Sequence, residues 1–183
     1  ASLVQHMLSL GAGGLTEDQI ATALADVGAQ LKNHFDRDRA GIALRTLSSE
    51  RERKQALDIL ARIIQHPEFP QEVVLREKAR IIASIKESST KPDYIGDREL
   101  MKMLYGDHPY GFNEMGEIEP LNRLQRADLL TFYHSYYVAK NAVIAIMGDI
   151  TRLEAAALAE SLTGNLPADG AKTGIASVSI PAA

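Results

Sequence analysis

Cysteine is missing altogether from this chain of 183 residues. That one absence removes disulfides, thiolate nucleophiles and cysteine-type metal sites together. It does not separate cytoplasmic from periplasmic residence, no signal peptide is visible, and the compartment stays open. Long apolar runs are missing too. The longest clear one, Ala142 to Met147, falls far below the roughly 20 residues a helix needs to cross a bilayer. Nor is there an excess of positive charge. The net charge is −4 with both signs mixed along the chain, which leaves no basic stripe of the kind that marks a nucleic-acid partner. Low-complexity tracts and short repeats are absent. What remains is an ordinary globular composition, 45% hydrophobic and 24% charged. The length suits one domain, or two small ones, around a sizeable core.

Periodicity and punctuation divide the chain. Ala1 to Leu10 predicts a helix with Leu3, Val4, Met7 and Leu8 on one face, broken by the glycines after it. Ala1 enters that pattern with no cap before it, so the natural chain is expected to begin upstream. Thr16 and Gln19 have the spacing of a capping box, opening a helix that stops at Gly28. Strands are expected over Ala29 to Phe35 and Gly41 to Leu47, joined by the polar tip Asp36-Arg37-Asp38-Arg39. Ser49 caps a helix to Gln65, and Pro70 opens a long one to Ser88. Helices are expected again over Tyr94 to Leu104, Ala127 to Tyr137 and Leu153 to Leu162. Tyr105 to Glu119 reads as an ordered loop and Ala142 to Met147 as a buried strand. The class is α+β, a mostly antiparallel sheet packed against helices. The expected organisation is a lobe over residues 1–166 and a linker-like tail over 167–183, rich in Gly, Ala and Pro.

Several stretches, in this order, resemble the pitrilysin/insulinase family of zinc metallopeptidases, the inverzincins. They are Ala1-Ser2-Leu3-Val4-Gln5-His6-Met7-Leu8; Gly28-Ala29-Gln30-Leu31; Val73-Val74-Leu75-Arg76-Glu77; Leu104-Tyr105-Gly106-Asp107-His108-Pro109-Tyr110-Gly111; and Asp128-Leu129-Leu130-Thr131-Phe132-Tyr133 with the run to Gly148-Asp149. The resemblance covers nearly the whole chain. It implies one metallopeptidase-like lobe of the motif-bearing kind, opening inside the motif helix and lacking the first strands that normally precede it.

The family motif is H-x-x-E-H on the first helix plus a glutamate on the long helix. Two histidines at i and i+4 leave one helix face and grip one zinc. The intervening glutamate is general base for the metal-bound water, whose pKa the zinc lowers. Laid on this sequence, the first histidine position is Ser2, the base position is Gln5 and the second histidine position is His6. On the long helix the family shows two glutamates seven residues apart, the second a ligand. Here the first is Glu77, a possible relic, and the ligand position is Ser84. A neutral hydroxyl is a poor zinc ligand, and a glutamine takes up no proton at neutral pH. Losing a general base costs typically about 10²–10⁴-fold in rate. The family cofactor is zinc, but the degenerate motif predicts no metal and no intact catalytic set.

No replacement site is evident. The five histidines, His6, His34, His66, His108 and His134, never fall two to a helical turn. His34 with Asp36 and Asp38 is the only local cluster of ligand types, and it reads as a solvated turn. A G-x-S-x-G elbow is absent. The resemblance places Lys32, Asn33, His34 and Phe35 on the strand that lines the family's cleft. That strand reads either as an edge able to add a peptide by β-augmentation or as an ordinary internal strand. Tyr133, Tyr136 and Tyr137 read as packing. The expected function is a non-catalytic subunit or lobe that helps bind peptide or unfolded polypeptide. It would pair with a catalytic homologous subunit or second lobe, as the non-catalytic subunit of mitochondrial processing peptidase does. A weakly active zinc peptidase working through His6 and Glu77, and a purely structural homologue, are the alternatives.

Overall fold

The computed structural model describes residues 1–171, 174, 175, 177 and 178. The far part of the expected tail lies outside the described residues. The elements run α1 (Ser2–Met7), α2 (Glu17–Asp26), β1 (Gln30–Phe35), β2 (Ala40–Arg45), α3 (Glu50–Gln65), α4 (Gln71–Ser88), α5 (Pro92–Tyr105), α6 (Ile118–Arg123), α7 (Arg126–Tyr136) and α8 (Arg152–Thr163). Single 3₁₀ turns cover Pro109–Gly111 and Ala139–Asn141.

Helix α1 sits at the centre because the apolar face made by Leu3, Val4, Met7 and Leu8 must be covered, and the polar Gln5 is buried beside it. Leu3, Val4 and Met7 are buried together with Leu8 just beyond its end. They meet Ile20 and Leu24 of α2, Ile59 and Ile63 of α3, Val74 of α4, and Leu129 and Tyr133 of α7. Phe69 closes this core, edge-on to Tyr133 with ring centroids 6.3 Å apart. The capping box forms as its spacing predicts. Gln19 N–H donates to Thr16 Oγ1 at 3.3 Å, and Thr16 N–H donates to Gln19 Oε1 at 2.9 Å. Gly28 then takes φ +63°, a left-handed conformation glycine adopts without strain. Ala29 N–H reaches back to Leu24 O at 2.9 Å, and the chain turns into β1.

β1 and β2 pair antiparallel with His34 opposite Gly41 and Asn33 opposite Ile42. They form a two-stranded sheet whose residues are all half-buried or exposed. The class is α+β, with helices dominating. Ala142 to Met147 is not the buried strand its composition predicts. Val143 is 96% and Met147 97% exposed, and among the described residues β1 and β2 pair only with each other. A strand exists through its ladder, and an apolar run with no neighbouring strand has nothing to pair with. Boundaries also move, β2 ending at Arg45 two residues early. α1 ends at Met7, three residues early; α5 starts at Pro92, a proline at the first helical turn; and the loop from Tyr105 contains a 3₁₀ turn and runs into α6 at Ile118. At the other end, Ala139 N–H donates to Pro167 O at 2.8 Å and Ala171 N–H to Ser135 O at 2.8 Å.

Candidate functional site

Helix geometry brings Ser2, Gln5 and His6 to neighbouring places on α1, at i, i+3 and i+4. α4 packs on α1 and contributes Glu77 and Ser84. Of these, His6 and Glu77 meet directly: His6 Nε2 lies 2.9 Å from Glu77 Oε2. Glu77 is only 2% exposed, whereas His6 is 45% exposed. The second carboxylate oxygen accepts from Arg76 Nε at 2.7 Å, and Arg76 also reaches Glu17 at 2.7 Å. Burial pushes the Glu77 carboxyl up, but the hydrogen bonds from His6 and Arg76 outweigh it and hold the group below the ordinary glutamate value. Glu77 is therefore an anion shared between two donors.

Gln5 points elsewhere. Its side chain is buried, 1% exposed, between β2 and α7. Nε2 donates to Gly41 O at 2.7 Å, and Oε1 accepts from Tyr137 Oη at 2.7 Å. Burial drives the Tyr137 phenol far above its ordinary value, and Tyr133, stacked on it with centroids 5.3 Å apart, is pushed up to about 12. Ser2 is half-buried at the start of α1. Ser84 is exposed, and its hydroxyl faces Met115 Sδ at 3.9 Å.

The strand residues lie alongside. Lys32, Asn33 and His34 are exposed and Phe35 is half-buried. The Asn33 amide approaches His6 O at 3.5 Å and Ser9 Oγ at 3.4 Å, long contacts that set β1 beside α1. His34 Nε2 lies 3.2 Å from Asp36 Oδ2. The Asp36 carboxyl, which caps the N–H groups of Asp38 and Arg39, falls to about 2, with the Asp38 bond the largest cause. Asp38 is taken by the Tyr110 hydroxyl, and Arg37 reaches Glu114 at 2.8 Å and the Tyr110 carbonyl. The hairpin tip is thus latched to the loop after α5.

Zinc asks for about four nitrogen, sulfur or anionic oxygen donors in a tetrahedron. The family positions present two hydroxyls and one imidazole, and that imidazole's Nε2 already faces Glu77. Among the described residues, no three His, Asp or Glu side chains gather closely enough to hold an ion. This donor set does not fit the metal. The partners that matter most to the motif positions, Arg76, Gly41 and Tyr137, were not among the residues singled out from sequence as site residues. Tyr137 lies 132 positions from Gln5, and no spacing rule could connect them.

An α+β lobe whose first helix sets His6 against Glu77 of a long helix packed on it has the architecture of a metallopeptidase-family lobe. The chain belongs to the insulinase family of peptidases, family M16: residues 1–116 match the family "Insulinase (Peptidase family M16)" and residues 123–182 match "Peptidase M16 inactive domain". It is 27% identical over 163 residues to an uncharacterized zinc protease of Rickettsia felis, covering 89% of this chain and 39% of that one. It is 25% identical over 173 residues to a probable mitochondrial-processing peptidase subunit beta of Arabidopsis thaliana, covering 94% and 32%. The crystal structure of a peptidase M16 inactive domain from Pseudomonas fluorescens superposes with a TM-score of 0.93 at 32% identity, over 97% of this chain and 43% of that one. The matches span only 32% to 43% of the length of these relatives.

Proposed function

We propose that this chain is a non-catalytic lobe that helps hold extended polypeptide substrate and pairs with a catalytic homologous lobe or subunit. One observation carries the reading. The residue at the general-base position is a neutral amide, buried and bonded at both ends, with no proton to take and no free atom to aim at water. Three features support the peptide side. β1 pairs on one side only among the described residues, Lys32 to His34 are exposed, and the strand adjoins the motif helix. An extended chain laid on that edge would be held by main-chain hydrogen bonds, with selectivity from alternate side chains. In this reading the catalytic metal is held by the partner lobe or subunit.

The decisive test is hydrolysis of an unstructured peptide mixture by purified chain in excess zinc, followed by mass spectrometry. No cleavage is expected, while binding of the same peptides is expected to weaken in a Lys32→Glu/His34→Glu variant. Cleavage abolished by a chelator would refute the reading. The retained contact between His6 and Glu77 favours one rival, a weakly active metallopeptidase. Near-stoichiometric zinc remaining after dialysis would choose it.

A further inference from the structure

We infer that Gln5, at the position of the lost general base, is a positioning residue for the β1–β2 hairpin, holding it to the central helix through Gly41 and to the end of α7 through Tyr137, the residue just beyond that helix. The hairpin needs such a tie. Neither of its strands buries a single side chain; every residue from Gln30 to Phe35 and from Ala40 to Arg45 is half-buried or exposed. Its apolar anchorage is confined to the partial packing of residues such as Leu31, Ile42 and Leu44. Its other polar ties include the long contacts of Asn33 and, at the tip, the latch of Arg37 and Asp38 to the loop after α5. The Gln5 bond is short and comes from a buried side chain, and it holds β2 at Gly41, opposite His34 and one pair in from the turn.

Chemistry explains why an amide suits this position. Gly41 O can only accept, so the atom facing it at 2.7 Å must be an N–H donor. Tyr137 Oη then donates to the other end. The network fixes the orientation of the amide, and both ends are used. An ionised carboxylate here would set oxygen against oxygen at Gly41, and it has no donor to offer. The glutamine is more than a base that was lost. Its donor and its acceptor each hold a separate element.

The test is amide hydrogen exchange on the full chain, comparing the hairpin (30–45) with α8 (152–163) as an internal reference. Gln5→Glu and Gln5→Met each remove the donor to Gly41 at near-constant size. Both are expected to speed hairpin exchange by roughly tenfold or more relative to α8. Tyr137→Phe, which deletes one hydroxyl, should give a smaller rise in the same place. If the Gln5 variants do not fold, Tyr137→Phe decides by the same criterion. Hairpin exchange within twofold of the parent, or an equal acceleration of every element, would overturn the inference. A loss of peptide affinity in these variants would extend it to the function proposed above. That extension rests on the peptide-binding reading, whereas the exchange result does not; a parent chain that binds no peptide sinks that reading alone.

Discussion

Glu77→Ala tests whether the one surviving contact between motif positions still holds the lobe together. The Glu77 carboxylate is nearly enclosed and accepts two charge-assisted hydrogen bonds, from His6 and Arg76. Two such bonds are worth about 3–6 kcal/mol if nothing replaces them. Something does replace them. His6 and Arg76 are 45% and 53% exposed, so water takes over and no buried charge is orphaned, and exposed pairs are worth about 0–1 kcal/mol. The cost between these limits is about 2 kcal/mol, a fall in Tm of about 4–8 °C for a chain of this size. The effect also has a sign in pH. The folded carboxyl lies below its unfolded value of 4.5, so its contribution is present above that value and is lost as pH falls through the lower folded one. Thermal unfolding followed by circular dichroism at pH 7 and pH 3 reads both. A gap at pH 7 of under about 0.5 kcal/mol, or one that persists undiminished at pH 3, refutes the reasoning.

Other measurements follow from the same geometry. Burial raises the Tyr133 and Tyr137 phenols above their ordinary value, Tyr133 to about 12. Stability should stay level up to about pH 10, the unfolded tyrosine value, and decline as pH rises through the folded values; ultraviolet titration of the phenolates alongside unfolding tests this. Thr16→Ala removes the hydroxyl that caps α2 and should cost about 1 kcal/mol in urea unfolding. An unchanged midpoint would mean that Gln19 alone holds that helix end.

Local chemistry made much of this lobe readable. Thr16, Gln19 and Gly28 bracket α2 through bonds spanning three or four residues, and the alternation after Gly41 and the polar tip mark the hairpin. That Ser2, Gln5 and His6 are neighbours was legible because helix spacing puts them side by side whatever the rest of the fold does. What stayed hidden depends on distant partners. Ala142 to Met147 has the composition of a strand, but pairing is not a property of the segment. Gln5 reads as a missing base, and the two atoms that give it a structural role, Gly41 O and Tyr137 Oη, come from a strand and a helix that no local pattern links to α1. The Arg76 side chain that completes the Glu77 site is adjacent in sequence, yet an arginine beside a glutamate on a helix more often faces water than a buried carboxylate.

The side of β1 that pairs with no strand among the described residues carries a hazard as well as an opportunity. A bare strand margin can zip onto a second copy of itself and seed aggregates, and folded proteins commonly blunt such margins with brevity and charge. β1 is six residues long and places Lys32 in the open. Two copies meeting there would bring lysine ammoniums together, whereas a polypeptide of opposite charge would meet no such repulsion. In the function proposed above, the lysine that would greet a guest chain would also disfavour self-pairing along this margin.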